Sequence, residues 1–379
     1  MRARSVPEAG LEPPGQFRFP SHVVDVRPSR TRPGLAEPVT TRPDVAGSAA
    51  QQRPRPTVVL LSRTCDEELG SVQDLLGKAG IPSARVDADE LAGTSLVIDA
   101  AARAIRVNGR WLAPTVSWIR HFSGQAIEGT GDPGDDLFLR ESWQAAAVAL
   151  AAIAIIDAAP GPRGLLSQLW LARQHQIAVP RTIVTTDLAA ARDAFQCPRL
   201  VIKAVNEHFT EVVPGRLTGR FPVIVERREL PGQPGGGPPV VVQEYVEHDT
   251  ELRIYYLNGR LHGFEIDKRS PADLWTAADR VGARYVTPPA AVAAATRLLA
   301  TAMSLYYGAF DFLVRDGSPV FLEVNSDGDW QWAERKSGTS AVTLGVARML
   351  ADLHREESPV GYGAPPLDLL AFLTATQRP

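Results

Sequence analysis

The sequence predicts an α/β unit followed by an α+β region, and three observations carry that reading. From Thr57 a buried-type strand, an amphipathic helix and a second strand follow one another, the opening of an α/β unit. Further on, strands outnumber helices and meet across short turns such as Asn258-Gly259, as in antiparallel sheets. One of these hairpins, Phe310 to Asn325, sets Asp311, Glu323 and Asn325 among apolar neighbours, and carboxylates in such strands need a cation.

Residues 1–56 hold ten prolines and nine arginines against five acids, a local charge of +4 that cannot form a core by itself. They read as a disordered tail in which Phe17 to Val26 is the patch apolar enough to dock. Val58 to Leu61 is the first strand, a helix spans Ser71 to Ala79, and a strand lies near Ala84 to Val86. Strands follow at 95–98, 104–107 and 115–119, the latter two joined through Asn108-Gly109. Leu137 to Ala158 reads as a long helix, apolar all round from Ala145 to Ile156 and therefore buried. Pro160-Gly161-Pro162 marks a boundary.

The next unit opens with a helix over 165–175, a strand at 182–185 and a helix capped by Asp187. In the strand 200–205, alternation puts Lys203 on the face of Val201 and Val205, from where its ammonium reaches toward an anion. Pro231 to Pro239 has four glycines but neither a Gly-Lys-Ser/Thr sequence nor a helix start, so it reads as a hairpin tip rather than a phosphate cradle. Strands at 240–246, 251–256 and 261–266 follow, Glu251 and Arg253 sharing a face. An amphipathic helix over 289–307 leads into the carboxylate hairpin. Beyond it come a turn with Trp330 and Trp332, Trp330 and Trp332 reading as core, and a terminal helix over 340–354.

Glu323 and Asn325 are two apart on one strand and share a face. Asp311 joins them only if the turn has the right parity. A two-residue Asp316-Gly317 turn sets Asp311 opposite Leu322, on the wrong face, whereas a three-residue Arg315-Asp316-Gly317 loop sets it opposite Phe321. The three-residue loop is therefore expected, with Gly317 left-handed. The resulting trio of two carboxylates and an amide oxygen suits a hard cation such as magnesium.

At 379 residues with a net charge of −3, the chain has room for two to three domains and no global basic field to attract nucleic acid. The longest apolar run is too short for a membrane span, and no signal peptide is seen. Cys65 and Cys197 lack metal-type spacing and read as buried thiols of a reducing cytoplasm.

Lys203 on a strand, the Gln243-Glu244-Tyr245-Val246 linker, Glu251-x-Arg253, Asp311 and Glu323-x-Asn325 follow an order that resembles the ATP-grasp superfamily. Within it the chain looks most like peptide-modifying ligases related to ribosomal-protein glutamate ligases and graspetide (microviridin) synthetases, as do Trp118-Ile119-Arg120, Gln168-Leu169 and the run Val179 to Asp187. The resemblance implies an ATP-grasp fold, with 57–160 an N-terminal α/β pre-grasp domain and 161–242 and 243–379 two lobes clamping the nucleotide. It implies ATP and Mg2+ as cofactors: Lys203 on the α- and β-phosphates, the backbone of Glu244, Tyr245 and Val246 on the adenine edge, Glu251 on the ribose, and Asp311, Glu323 and Asn325 on magnesium. Arg253, with Lys268 and Arg269, would face the triphosphate or acyl-phosphate.

The activity so implied is ADP-forming ligation of a peptide or small-molecule carboxylate to an amine or hydroxyl, by a cytoplasmic enzyme that the resemblance allows to be a homodimer. The two other readings are a small-molecule ligase and a nucleotide-binding regulator with little turnover. Two departures from the family bear on turnover. A lysine is missing before Gln168-Leu169, where Arg163 is the nearest substitute, and Asp273-Leu274-Trp275-Thr276 replaces an Asp-Trp-Arg-like run, leaving Lys268, Arg269 or Arg280 to supply that charge.

Overall fold

A computed structural model describes residues 21–25, 53–158, 164–205 and 208–358. The chain forms two compact units, one of residues 1–25 and 158–349, the other of 26–157 and 350–379. The Pro160-Gly161-Pro162 boundary, Arg163 and the rest of the tail lie outside the described residues.

In the first unit, β1 is Ser21–Asp25, far in sequence from everything it touches. The second unit contains β2 (Arg55–Ser62), α1 (Glu67–Lys78), β3 (Ser83–Asp87), β4 (Leu96–Asp99), β5 (Ala104–Val107), β6 (Arg110–Ile119), α2 (Pro133–Ile153) and β7 (Ile156–Asp157). Its sheet runs β3-β2-β6-β5-β4, with β7 beside β6. β2 is parallel to both β3 and β6, so its near-continuous apolar run is buried on both faces. At the end of β2 and β6, Arg120 is fully buried against Asp66 at 2.9 Å and also pairs with Glu68. Asp66 additionally caps α1 through the Leu69 N–H and accepts from Ser62 Oγ at 2.7 Å.

The expected buried helix is corrected here. α2 starts at Pro133 behind an Asp132 cap, buries only Ala147, Leu150 and Ala151, and leaves Phe138 75% and Val148 55% exposed. Alanine tolerates a wet helix face, so an alanine-rich run does not imply burial on every side. The thiols are corrected too, since Cys65 is exposed and Cys197 half-buried. Among the described residues, no helix is long and apolar enough to cross a membrane.

The first unit continues with α3 (Leu165–Gln174), β8 (Thr182–Thr185), α4 (Leu188–Ala194), β9 (Arg199–Ala204), β10 (Phe209–Val213), β11 (Arg216–Arg220), β12 (Val223–Glu226) and β13 (Val240–Glu244). It then has β14 (Thr250–Leu257), β15 (Arg260–Asp267), α5 (Asp273–Thr276), β16 (Gly282–Val286), α6 (Ala290–Ala302), β17 (Tyr307–Arg315), β18 (Ser318–Asn325), α7 (Gln331–Ser337) and α8 (Ala341–Glu357). Three antiparallel sheets result: β12-β9-β13-β8, β16-β15-β14-β17-β18 and β1-β11-β10. The glycine-rich segment 231–239 is not a hairpin tip, because β9 lies between β12 and β13.

Alternation along the five-stranded sheet separates core from site. Leu252, Ile254, Phe310, Phe312, Phe321 and Val324 pack with Leu169, Ala172, Val292 and Leu299 of α3 and α6. The intervening residues Glu251, Arg253, Tyr255, Asp311 and Glu323 belong to the opposite face. The tail patch does dock: β1 pairs antiparallel with β11 over Ser21↔Arg220 to Asp25↔Arg216.

Candidate active site

The carboxylate hairpin reaches its geometry by a route other than the expected loop. Arg315 pairs with Ser318, so the turn has two residues, Asp316 at φ +50° and Gly317 at φ +73°, the left-handed pair of a type I′ turn. A register shift between Asp311 and Phe312 skips Leu322, and Asp311 then faces Glu323. The bulge supplies the parity that a three-residue loop had been invoked to give.

Asp311 pairs with Arg253 on β14 as well as with Glu323 on β18, which forms a row of charge across three strands. One Arg253 Nη donates to both Asp311 oxygens at 3.1 and 3.0 Å, while its Nε donates to Tyr255 Oη at 3.0 Å. Tyr255 in turn donates to the Asp329 carbonyl at 2.6 Å. From β9, in a different sheet, Lys203 donates to Glu323 at 2.8 Å. Lys268 and Glu251 form the third pair.

Burial pushes the Asp311 carboxyl up to about 6, with the charge of Glu323 adding to it and that of Arg253 opposing it. The Lys203 ammonium has the opposite effect on Glu323 and holds it down at about 2. Three cations thus stand against three carboxylates: the predicted phosphate-side groups bond the predicted metal and ribose groups.

Neighbouring segments fix these side chains. Gln168 of α3 takes both the N–H and the C=O of Val324, at 2.8 and 3.1 Å, and so anchors the strand between Glu323 and Asn325. Gly328 lies where a Cβ would come 2.7 Å from Arg253 Nη2 and 2.8 Å from Ala309 Cβ, so only glycine lets this loop cross the arginine. Trp330 is fully buried and donates to Thr343 Oγ1 at 2.8 Å, as its reading as core implied, whereas Trp332 is half-buried.

The other predicted residues divide. Asn325 is exposed on β18, and its Oδ1 accepts the Asp327 N–H at 3.2 Å. The Glu244 and Tyr245 N–H groups are bonded to the Arg181 and Arg199 carbonyls at 2.9 and 3.1 Å. Arg269 is exposed, and among the described residues no ion pair ties it to the cluster. Trp275, in the run that lacks the family's arginine, stacks on Phe221 at 4.7 Å.

Sequence reasoning missed Tyr255 and Gly328 as parts of the site. The two-residue spacing from Arg253 was the available signal for Tyr255; a lone glycine in a turn gave none for Gly328. Asp311 and Glu323 face each other across β17 and β18, and paired carboxylate oxygens of this kind suit a hard cation such as magnesium.

No protein-family model matches the sequence, and no curated protein matches it. Solved structures do. The macrocyclase MdnC bound with precursor peptide MdnA, from Microcystis aeruginosa MRC, aligns with a TM-score of 0.62 at 18% identity, over 78% of this chain and 99% of that one. The ATP-grasp ligase PsnB, complexed with minimal precursor, Mg and ADP, aligns at 0.62 and 17%, over 78% and 98%. A Chryseobacterium gregarium RiPP-associated ATP-grasp ligase, in complex with ADP and a leader and core peptide, aligns at 0.61 and 17%, over 80% and 98%. At such identities the likeness establishes the fold, and the chain has the ATP-grasp fold.

Proposed function

We propose that this ATP-grasp protein is an ATP- and magnesium-dependent ligase that activates a carboxylate on a peptide or protein side chain and joins it to an amine or hydroxyl. The observation that carries the reading is that Arg253 pairs with Asp311 on one face of the five-stranded sheet, where Lys203 of the four-stranded sheet also reaches Glu323. That face combines groups able to hold a divalent cation with groups able to hold phosphates, the equipment of phosphoryl transfer. The peptide class is supported by the MdnC, PsnB and C. gregarium structures, whose proteins are complexed with precursor peptides.

In this reading Asp311, Glu323 and Asn325 hold magnesium, which neutralises phosphate charge when bound. Lys203, released from Glu323, takes the α- and β-phosphates, and Arg253 turns from Asp311 to the oxygens that gain charge. The adenine edge falls to the 244–246 linker and the ribose to Glu251. Lys268, the partner of Glu251, is the second cation facing the acyl-phosphate, and Arg269 would join only by moving its exposed side chain. A substrate carboxylate oxygen attacks the γ-phosphorus and ADP leaves. The acceptor nitrogen or oxygen then attacks the acyl carbon, loses its proton and expels inorganic phosphate.

The test is ADP formation by the full chain with acidic peptides that also carry Lys, Ser or Thr. Glu323→Gln is expected to lower that rate at least ~100-fold, the scale of removing an electrostatic group from a phosphoryl-transfer site. A rate unchanged in Glu323→Gln would sink the assignment.

One observation favours a second reading, a nucleotide-binding protein with little turnover: the Asp273–Thr276 run carries no arginine, and its Trp275 packs into an aromatic stack. Calorimetry showing tight Mg·ATP binding, with no ADP formed across acceptors, would select it.

A further inference from the structure

The two sides of α2 differ in what covers them. One packs into the core of its unit through Ala147 and Leu150, while the other leaves Leu137, Phe138, Ala145, Val148, Ala149 and Ala152 exposed. Their helical spacing gathers these six on one side, where Glu141 is the one exposed charge between Leu137 and Ala152. Among the described residues this unit exposes five large apolar side chains. Four of them, Leu137, Phe138, Val148 and Ile155, lie on α2 or just past it, and only Val97 lies elsewhere. Exposed apolar groups that are scattered singly need no partner, but a set gathered on one helix marks a face that something covers.

The same unit includes residues 359–379, which follow α8 and lie outside the described residues. Their sequence contains Pro365-Pro366 and then Leu367-Asp368-Leu369-Leu370-Ala371-Phe372-Leu373, a run too apolar for a solvated tail. Leu369, Leu370, Phe372 and Leu373 stand at i, i+1, i+3 and i+4, the pattern of one helical stripe, with Asp368 and Ala371 on the opposite side. The two prolines occupy positions that suit a helix start. A helix this short is not stable alone in water and needs an apolar face to pack on.

The chain leaves α8 close to the end of α2. His354, in the last turn of α8, is hydrogen-bonded through Nδ1 to Thr115 Oγ1 of β6 at 2.8 Å. The adjoining Pro114 carbonyl accepts the Ile155 N–H at 3.3 Å, and Ser117 Oγ donates to the Ala151 carbonyl at 3.1 Å. Both helices therefore end beside the same stretch of β6. The connection from Ser358 to Leu367 spans up to about 30 Å when extended, and α2 is about 31 Å long, so the apolar run has the reach to lie along it.

We propose that residues 367–373 dock as a short helix on the exposed side of α2, with Leu369, Leu370, Phe372 and Leu373 covering Phe138, Ala145 and Val148. Ala145, Ala149 and Ala152 make a strip of small side chains that lets a second helix approach closely, and the bulky run supplies the volume that strip lacks. A tether this short holds the run at an effective concentration on the order of millimolar, well above that of a second copy of the chain at micromolar concentration.

The experiment puts a photo-crosslinking benzoylphenylalanine in place of Phe372 in the full chain and identifies the product by its mass and by the peptide it labels. The expected product has the mass of one chain, with the cross-link inside residues 137–155. A product of twice that mass would overturn the proposal and assign the face to a second copy, and a cross-link outside 137–155 would overturn it as well. Hydrogen exchange gives an independent reading. Leu370→Asp is expected to speed exchange across 137–152 at least ~10-fold, and Ala371→Asp, on the opposite side of the run, less than about twofold. Exchange unchanged in Leu370→Asp, or equally fast in both variants, would refute the docking.

Discussion

Arg253 is the side chain on which the site turns, since it bridges Asp311, Tyr255 and, through Tyr255, the Asp329 carbonyl. Removing one member of a buried ion pair strands the other, so Arg253→Met is expected to destabilise the protein by about 3–5 kcal/mol. Urea denaturation measures this, and the double variant Arg253→Met/Asp311→Asn should recover part of the loss. Gly317 gives a smaller, independent test. Its Cβ would meet open space, but at φ +73° an alanine is strained, and Gly317→Ala should cost roughly 1–2 kcal/mol by the same measurement. The identities of Asp311, Glu323, Arg253 and Lys203 were legible because each interrupts an apolar alternation. Their route to one face was not, because a bulge at Leu322 leaves no mark in composition, and parity alone admitted the longer loop equally well. Gly328 was hidden for a related reason: its need arises from Arg253 passing beneath it, a contact between distant residues.

At the scale of elements, the β10–β11 hairpin gains a third strand from residues 21–25, and Gly219 shows how. A Cβ there would lie 2.3 Å from the Phe221 ring, so the glycine lets that ring fold over the strand, where it also meets His22. A five-residue ladder on the outer side of β11 makes a short edge strand. Val23→Pro, which removes a backbone donor, should therefore release β1 and speed amide exchange across Arg216–Arg220 at least ~10-fold while the global melting temperature changes little. Hydrogen-exchange mass spectrometry checks this; exchange unaltered by Val23→Pro would mean that the strand contributes no protection. The patch Phe17 to Val26 could be singled out as apolar, but its partner strand could not, since nothing local in SHVVD specifies RLTGR. The all-round apolar pattern of α2 misled in the other direction, because alanine carries little information about which face is wet.

At the scale of the whole molecule, the chain divides into units with separate charge economies. In the 26–157 and 350–379 unit, Arg120 is the buried counter-ion of Asp66 and Glu68. Burial raises the Asp66 carboxyl, and Arg120, His121, the Leu69 N–H and Ser62 pull it net below the usual range. A depressed folded-state value means that this stabilisation is complete above the ordinary aspartate range, about pH 4, and is lost as pH falls below it. Arg120→Met should cost about 3–5 kcal/mol at neutral pH and flatten that acid limb, as read by melting from pH 2 to 7. The order of strands and helices at this scale was largely legible, because periodicity and turn residues are local properties. The assignment of residues 1–25 to the same unit as 158–349 was not. It has a consequence for biosynthesis. Asp25 leaves the ribosome roughly 190 residues ahead of Arg216, so at 5–20 residues per second β1 waits on the order of 10–40 s for its partner strand. During that interval β1 has no partner, and its three-stranded sheet closes only once Arg216–Arg220 has been made.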